Sequence, residues 1–270
     1  MVAKVIGVIS IKGGVGKTTT VTNLGVALAQ MGKKVLLIDA NYSAPNIGLH
    51  FGVVRPESAT IHEVLTNRAS LKHATYEHEA GFHFIPGALI PRASDRIDIY
   101  RLKSKLKEVK NDYDFILIDS SPTLNAEMLS TIVASDELIV ISTPDYPTLS
   151  CTMRAVKLAK QKKTPITGLI LNKTRNKEFE ISLKDVEETT GVPVLAVLPD
   201  HVDVLAALAE TTPVTIFNGK NDVSMEYKKL AASLSGLEYK DNRIWNKFRG
   251  IFGSVDKQDI NREVLRRRSQ

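Results

Sequence analysis

The sequence predicts an α/β protein with a mostly parallel, twisted sheet covered by helices on both faces. Three observations predict it. Apolar runs of strand length recur along the 270 residues, with helical patterns between them. The runs are continuously apolar rather than alternating, which marks strands buried on both faces of a parallel sheet. The stretch Lys12-Gly-Gly-Val-Gly-Lys17-Thr18-Thr19 joins the first such run to the first helical pattern, where a phosphate-binding turn belongs.

Taken in order, residues 5–11 form the first strand. Val21, Leu24, Ala27, Leu28 and Met31 then set the apolar side of a helix over 17–31. Further strands are read at 34–38, 82–85, 115–118, 138–141, 166–171 and 194–198, and further helices near 60–67, 95–110, 123–134, 148–161, 180–190, 202–209 and 222–235. No internal repeat or low-complexity linker interrupts them. The one shift in composition, at about residue 237, divides the chain into a domain over 1–236 and a basic amphipathic tail over 237–270. In such a sheet, functional residues collect at the carboxyl ends of the strands.

The glycine-rich turn supplies the first of these. Backbone N–H groups of Gly13, Gly14, Val15 and Gly16 can close around a polyphosphate, and the following helix adds its positive end. Lys17 is placed to reach the terminal phosphates, and the Thr18 hydroxyl to ligate magnesium. The fourth strand ends at Asp119-Ser-Ser-Pro122, and Asp119 has the form of a magnesium-side carboxylate. Asp39, which ends the second strand, is read as a second metal-side carboxylate, with a turn role as the alternative. The sixth strand ends at Asn172-Lys173, where an amide can pair with adenine through both donor and acceptor. The seventh ends at Pro199-Asp200-His201. Asn172, Pro199 and Asp200 are the candidates for a nucleobase pocket, with a turn or cap as the alternative; His201 suggests nothing specific.

Composition narrows the classes. No apolar stretch is long enough to span a bilayer. The N-terminal apolar run feeds directly into the phosphate loop, so no signal peptide is expected there. Cys151 is the only cysteine, which excludes an intrachain disulfide and a Cys-x-x-Cys metal or cluster site, and a reducing cytoplasm is expected. The net charge of +6 is placed unevenly: residues 240–270 carry nine Lys and Arg against four acids, which leaves only +1 for residues 1–239. The tail, not the body, makes the protein basic.

These motifs resemble those of the MinD/ParA ATPases, a family with a three-layer P-loop NTPase fold, and the likeness to archaeal MinD-like proteins is the greatest. Lys12-Gly-Gly-Val-Gly-Lys17-Thr18-Thr19 is similar to the family's deviant Walker A motif. The match continues through Lys34-Val-Leu-Leu-Ile-Asp39, Tyr113-Asp-Phe-Ile-Leu-Ile-Asp119-Ser-Ser-Pro122, Thr143-Pro-Asp145, Leu198-Pro-Asp200 and Thr212-Pro-Val214, and so covers residues 1–236. The resemblance implies ATP and Mg2+ as cofactors and an ATP-sandwich homodimer. In that dimer Lys12 reaches the partner's nucleotide and Thr19 contacts the α-phosphate. It also implies an activating partner protein and a role in the spatial regulation of cell division or positioning. One departure stands out. The family has Asp-x-Asp where this chain has Asp39-Ala40-Asn41. The second carboxylate positions and activates water; an amide can orient water but cannot take its proton, so slow hydrolysis is expected.

In the tail, Ile244, Trp245, Phe248, Ile251 and Phe252 fall on one helical face, with Arg243, Lys247 and Arg249 on the other. Gly250 and Gly253 each cost about 1 kcal/mol relative to alanine in a helix, so the segment should fold on contact. It resembles the membrane-targeting helix of MinD proteins and predicts a peripheral protein on an anionic membrane. A helix packed on its own domain and a partner-binding or DNA-binding tail are the alternatives. Asp256 starts a further helix carrying Ile260, Val264 and Leu265 and ending in Arg266–Arg268. The competing function is that of a ParA-like partition ATPase whose ATP dimer binds DNA.

Overall fold

The computed structural model describes residues 2–90, 98, 100–239, 241 and 256–270. Eight strands form one sheet: β1 (Lys4–Ile9), β2 (Val35–Ala40), β3 (Tyr76–Glu77), β4 (His83–Ile85), β5 (Phe115–Ser120), β6 (Glu137–Ser142), β7 (Ile166–Thr174) and β8 (Val194–Pro199). Their order is β3-β4-β2-β5-β1-β6-β7-β8, and every pairing is parallel except that of β3 with β4. The seven strands read from sequence are present. The addition is β3, whose two residues are too short to show a pattern.

The described helices are α1 (Lys17–Gln30), α2 (Ile47–His50), α3 (Ile61–Leu65), α4 (Arg101–Leu106), α5 (Ala126–Ala134), α6 (Tyr146–Gln161), α7 (Leu183–Thr190), α8 (Val202–Ala209), α9 (Val214–Phe217), α10 (Asp222–Leu234) and α11 (Lys257–Arg268). They cover both faces, as continuously apolar strands require. Along β1, Ile6 and Val8 pack with Leu24 and Leu28 of α1 and Leu230 of α10. The intervening Val5 and Ile9 enter two neighbouring cores on the opposite face, Val5 with Ile61 and Leu65 of α3 and Ile9 with Leu149 of α6 and Val186 of α7. The central strands β1, β2 and β5 thus bury both rows of side chains.

Local signals set the helix starts. The Asn125, Asp145, Ser182 and Asn221 side chains accept the backbone N–H three residues on, capping α5, α6, α7 and α10. His201 caps α8, its Nδ1 accepting from Asp203 N at 3.1 Å.

α11 lies against β8 and α10. Asp256 precedes it without a side-chain cap bond, and Leu265 enters the main core. Arg262 is buried to 4% exposure; its guanidinium donates to Glu226 at 2.6 Å, to Leu195 O at 3.1 Å and to Asp259. Asn261 Nδ2 donates to Val194 O at 2.8 Å. The helix therefore satisfies carbonyls of β8, an edge strand otherwise open to other chains. The predicted tail face, Ile244, Trp245, Phe248, Ile251 and Phe252, lies outside the described residues.

Candidate nucleotide site

β1 is a central strand, and its carboxyl end opens into the turn that leads to α1. Gly14 (φ 74°) and Gly16 (φ 98°) take left-handed conformations there. At Gly16 a second demand applies: a Cβ would lie 2.3 Å from Asn172 Nδ2. That close approach lets β7 clamp the turn. Asn172 Nδ2 donates to Val15 O at 2.7 Å, and Lys173 Nζ donates to Gly14 O at 2.8 Å. With two successive carbonyls engaged, the loop's N–H groups are left for an anion.

Lys17 stands in the first turn of α1, and its Nζ donates to Lys12 O at 3.4 Å. Burial lowers its pKa, while the charge of Asp119 works to raise it. The next residue, Thr18, donates from Oγ1 to Asp119 Oδ2 at 2.5 Å. Asp119 and Asp39 are register partners on β5 and β2, and both are fully buried. Burial raises both pKa values. Repulsion from Asp119 raises that of Asp39 further, whereas the Thr18 hydroxyl and Lys17 pull that of Asp119 back.

The two carboxylates are employed differently. Asp39 accepts backbone N–H bonds from Asn41 at 3.2 Å, Asn46 at 2.7 Å and Ile47 at 2.8 Å, and so ties down the loop between β2 and α2. Asp119 Oδ1 is buried with no hydrogen-bond partner. An unsatisfied buried carboxylate oxygen beside a threonine hydroxyl is the donor set a hard divalent cation requires, so these residues fit Mg2+.

A cavity of about 560 Å³ lies above the strand ends. Its wall includes Gly13, Gly14, Gly16, Lys17, Thr18, Thr19, Asn41, Asn172, Pro199 and Asp200, which the fold gathers from four separate stretches of chain. Four of the sequence candidates stand elsewhere. Val15 is turned into the core, and Asp39 and Asp119 are fully buried and do not line the cavity. Lys12 Nζ points to the start of α6, where it reaches Thr148 Oγ1 at 2.6 Å and Asp145 Oδ1 at 3.3 Å. Asn41 Nδ2 donates to Ala44 O at 2.5 Å, and among the described residues nothing donates to its Oδ1.

The cavity also has walls that no motif announced. Arg175 pairs with Asp200 at 2.8 Å across the mouth. Tyr227, from α10, lines it and shares a hydrogen bond with Thr20 of α1 at 3.2 Å. His50, at the end of α2, also lines it, and burial lowers its pKa to about 4. Only the strand-end position of Arg175, three residues past Asn172, carried any signal of this.

A family model described as an AAA domain matches residues 3–167. An uncharacterized ATP-binding protein of Methanocaldococcus jannaschii is 32% identical over 237 residues, which is 88% of this chain and 90% of that protein. The septum site-determining protein MinD of Pyrococcus horikoshii, solved with Mg-ADP, superposes with a TM-score of 0.80 at 30% identity, covering 94% of this chain and all of that one. The chain belongs to the MinD/ParA family of P-loop ATPases. The MinC:MinD cell division complex of Aquifex aeolicus contains a further likeness, with TM-score 0.78 and 25% identity over 89% of this chain and 99% of that one. As a MinD-like ATPase, the protein takes ATP and Mg2+ as its cofactors, in agreement with the glycine-rich turn and the orphaned Asp119 oxygen.

Proposed function

We propose that ATP binding joins two copies of this chain face to face, and that the dimer attaches to an anionic membrane through its tail. The observation that carries the first part is the position of Lys12. It belongs to the phosphate loop yet is absent from the wall of its own cavity. Its half-exposed amine rests on Asp145 and Thr148, free to exchange them for the phosphates of a facing copy.

Within one copy, Lys17 and the loop N–H groups hold the phosphates, and Thr18 and Asp119 hold Mg2+, which when bound neutralises phosphate charge. Asn172, Pro199 and Asp200 flank the base. Asn41 offers its Oδ1 to the attacking water; it orients the water and cannot accept its proton, so turnover is slow. The long-lived dimer carries two weak anchors, and two on one body bind far more tightly than one. Residues 1–236 form the ATPase domain in this reading and 237–270 the targeting tail, which makes the protein a peripheral one on the cytoplasmic side. A regulatory protein partner is part of it, as MinC is for the Aquifex aeolicus MinD complex.

The test is sedimentation with anionic vesicles in the presence of ATP, with duplex DNA run in parallel. Deleting residues 240–270 would strip α11 from the body, so Phe248→Glu is the variant to use. We expect ATP-dependent binding to vesicles, a blue shift of Trp245 fluorescence, and loss of both in Phe248→Glu with ATP binding intact. Binding to DNA alone would favour the partition reading.

A further inference from the structure

We infer that the groove between α6 and α7 docks an acidic protein segment that carries an apolar anchor side chain. This names a surface and a chemistry for the protein partner of the proposed function, and it rests on that reading for the partner's existence.

The outward face of α6 is a single stripe. Ser150, Met153, Arg154, Lys157, Lys160 and Gln161 follow at helical spacing and are all exposed. The stripe faces Thr189 and Thr190 at the end of α7 across a cavity of about 730 Å³. Arg154, Lys157 and Lys160 have no acidic partner among the described residues, and Lys162 and Lys163 continue the positive charge just past the helix. No acid of α7 lines the groove, and those acids make their contacts elsewhere. Glu187 takes Lys257, Asn261 and the N–H of Val194. Glu188 pairs with Lys184, and Asp185 with Ser182. The result is a concave, uncompensated positive field.

Its apolar part is Met153, 46% exposed, with Val156 buried beside it. A thioether on an unbranched chain adapts to whatever side chain enters, which suits an anchor pocket. The chain's own tail is excluded as the occupant by its net charge of +5 over residues 240–270. A flat bilayer surface meets the rim charges without filling the cavity between the two helices. The groove has no aromatic side chain on which a base could stack, so a single-stranded nucleic acid finds no platform. An acidic peptide satisfies both parts: its carboxylates meet the Arg and Lys rim, and one apolar side chain covers Met153.

The test is selection of displayed random twelve-residue peptides on the full-length protein, with counter-selection on the doubly charge-reversed Arg154→Glu/Lys157→Glu variant. Both reversals lie on the exposed stripe, and retained ATP binding checks the fold. The expected peptides are rich in Asp and Glu around one Leu, Ile, Met or Phe. Their affinity, read by fluorescence anisotropy, falls at least tenfold in the charge-reversed variant and also in Met153→Asp, and it falls with added salt. Selection on the Lys17→Ala protein should recover the same peptides, so a failure of the nucleotide reading leaves this result standing. Recovery of peptides without acidic enrichment, or equal binding to the charge-reversed variant, would overturn the proposal. Displacement of the selected peptides by duplex DNA or anionic vesicles at lower concentration than by free acidic peptide would overturn it in favour of those ligands.

Discussion

Asn41 and Asp119 show how far single residues could be read. A carboxylate ending an apolar strand beside a glycine-rich turn was legible, and Asp119 has the unmet oxygen such a role needs. Asp39 looked the same in sequence, yet both of its oxygens are taken by backbone N–H groups of the following loop. Loop geometry of that kind leaves no pattern. At Asn41, the amide nitrogen is tied to Ala44 O and the oxygen is available, so restoring a carboxylate should supply the missing base. Asn41→Asp should raise single-turnover hydrolysis about tenfold or more; equal rates would show that position 41 does not handle water. Asp145 makes a prediction in pH. Burial works to raise its pKa, but hydrogen bonds from Thr143, Thr148 and Lys12 outweigh this and hold it at about 2, against an ordinary 3.8. A carboxylate with a depressed folded pKa stabilises fully above its unfolded value and loses that contribution as pH falls. The stability gap between the native protein and Asp145→Asn, from urea melts, should therefore be constant above about pH 4 and close toward pH 2. A gap that widened on acidification would contradict the contact.

Among the elements, those with a long repeat were legible, as were the short α3 and β4, while the two four-residue helices and β3 were not. α1, α6 and α10 show helical spacing over three turns or more, whereas α2 and α9 have four residues each and β3 has two. The pocket walls contributed by Tyr227 and His50 were hidden for a related reason: they come from elements remote in sequence, and only the folded sheet brings them to the phosphate loop. α11 was legible as a helix, while its docking was not, because Arg262 reads as an ordinary surface charge until Glu226 and the β8 carbonyls surround it. That docking has a stability consequence. Arg262→Ala leaves the Glu226 carboxylate, 12% exposed, without its main partner, and breaking such a pair costs about 3–5 kcal/mol. Guanidinium melts should show a loss near the lower end, since Lys229 also pairs with Glu226 at 2.9 Å. Arg262→Lys should recover part of it. No change in midpoint for Arg262→Ala would mean that α11 does not hold to the body in solution.

At the scale of the whole molecule, one sheet sets up two faces with separate tasks. The strand ends gather the phosphate loop, Asp119 and the cavity wall of Asn172, Pro199 and Asp200, and the Lys12 amine rests on Asp145 and Thr148 at the start of α6. The edge at β8 is closed by α11, which bonds to the Val194 and Leu195 carbonyls. In the proposed function, nucleotide joins two such bodies through Lys12. The most direct measurement is molar mass by light scattering with Mg2+ and ATP, made on the native chain and on Lys12→Ala. The native chain should shift from monomer to dimer with ATP and not with ADP. Lys12→Ala should still bind ATP by calorimetry and remain monomeric. A Lys12→Ala protein that dimerises fully with ATP would contradict the account.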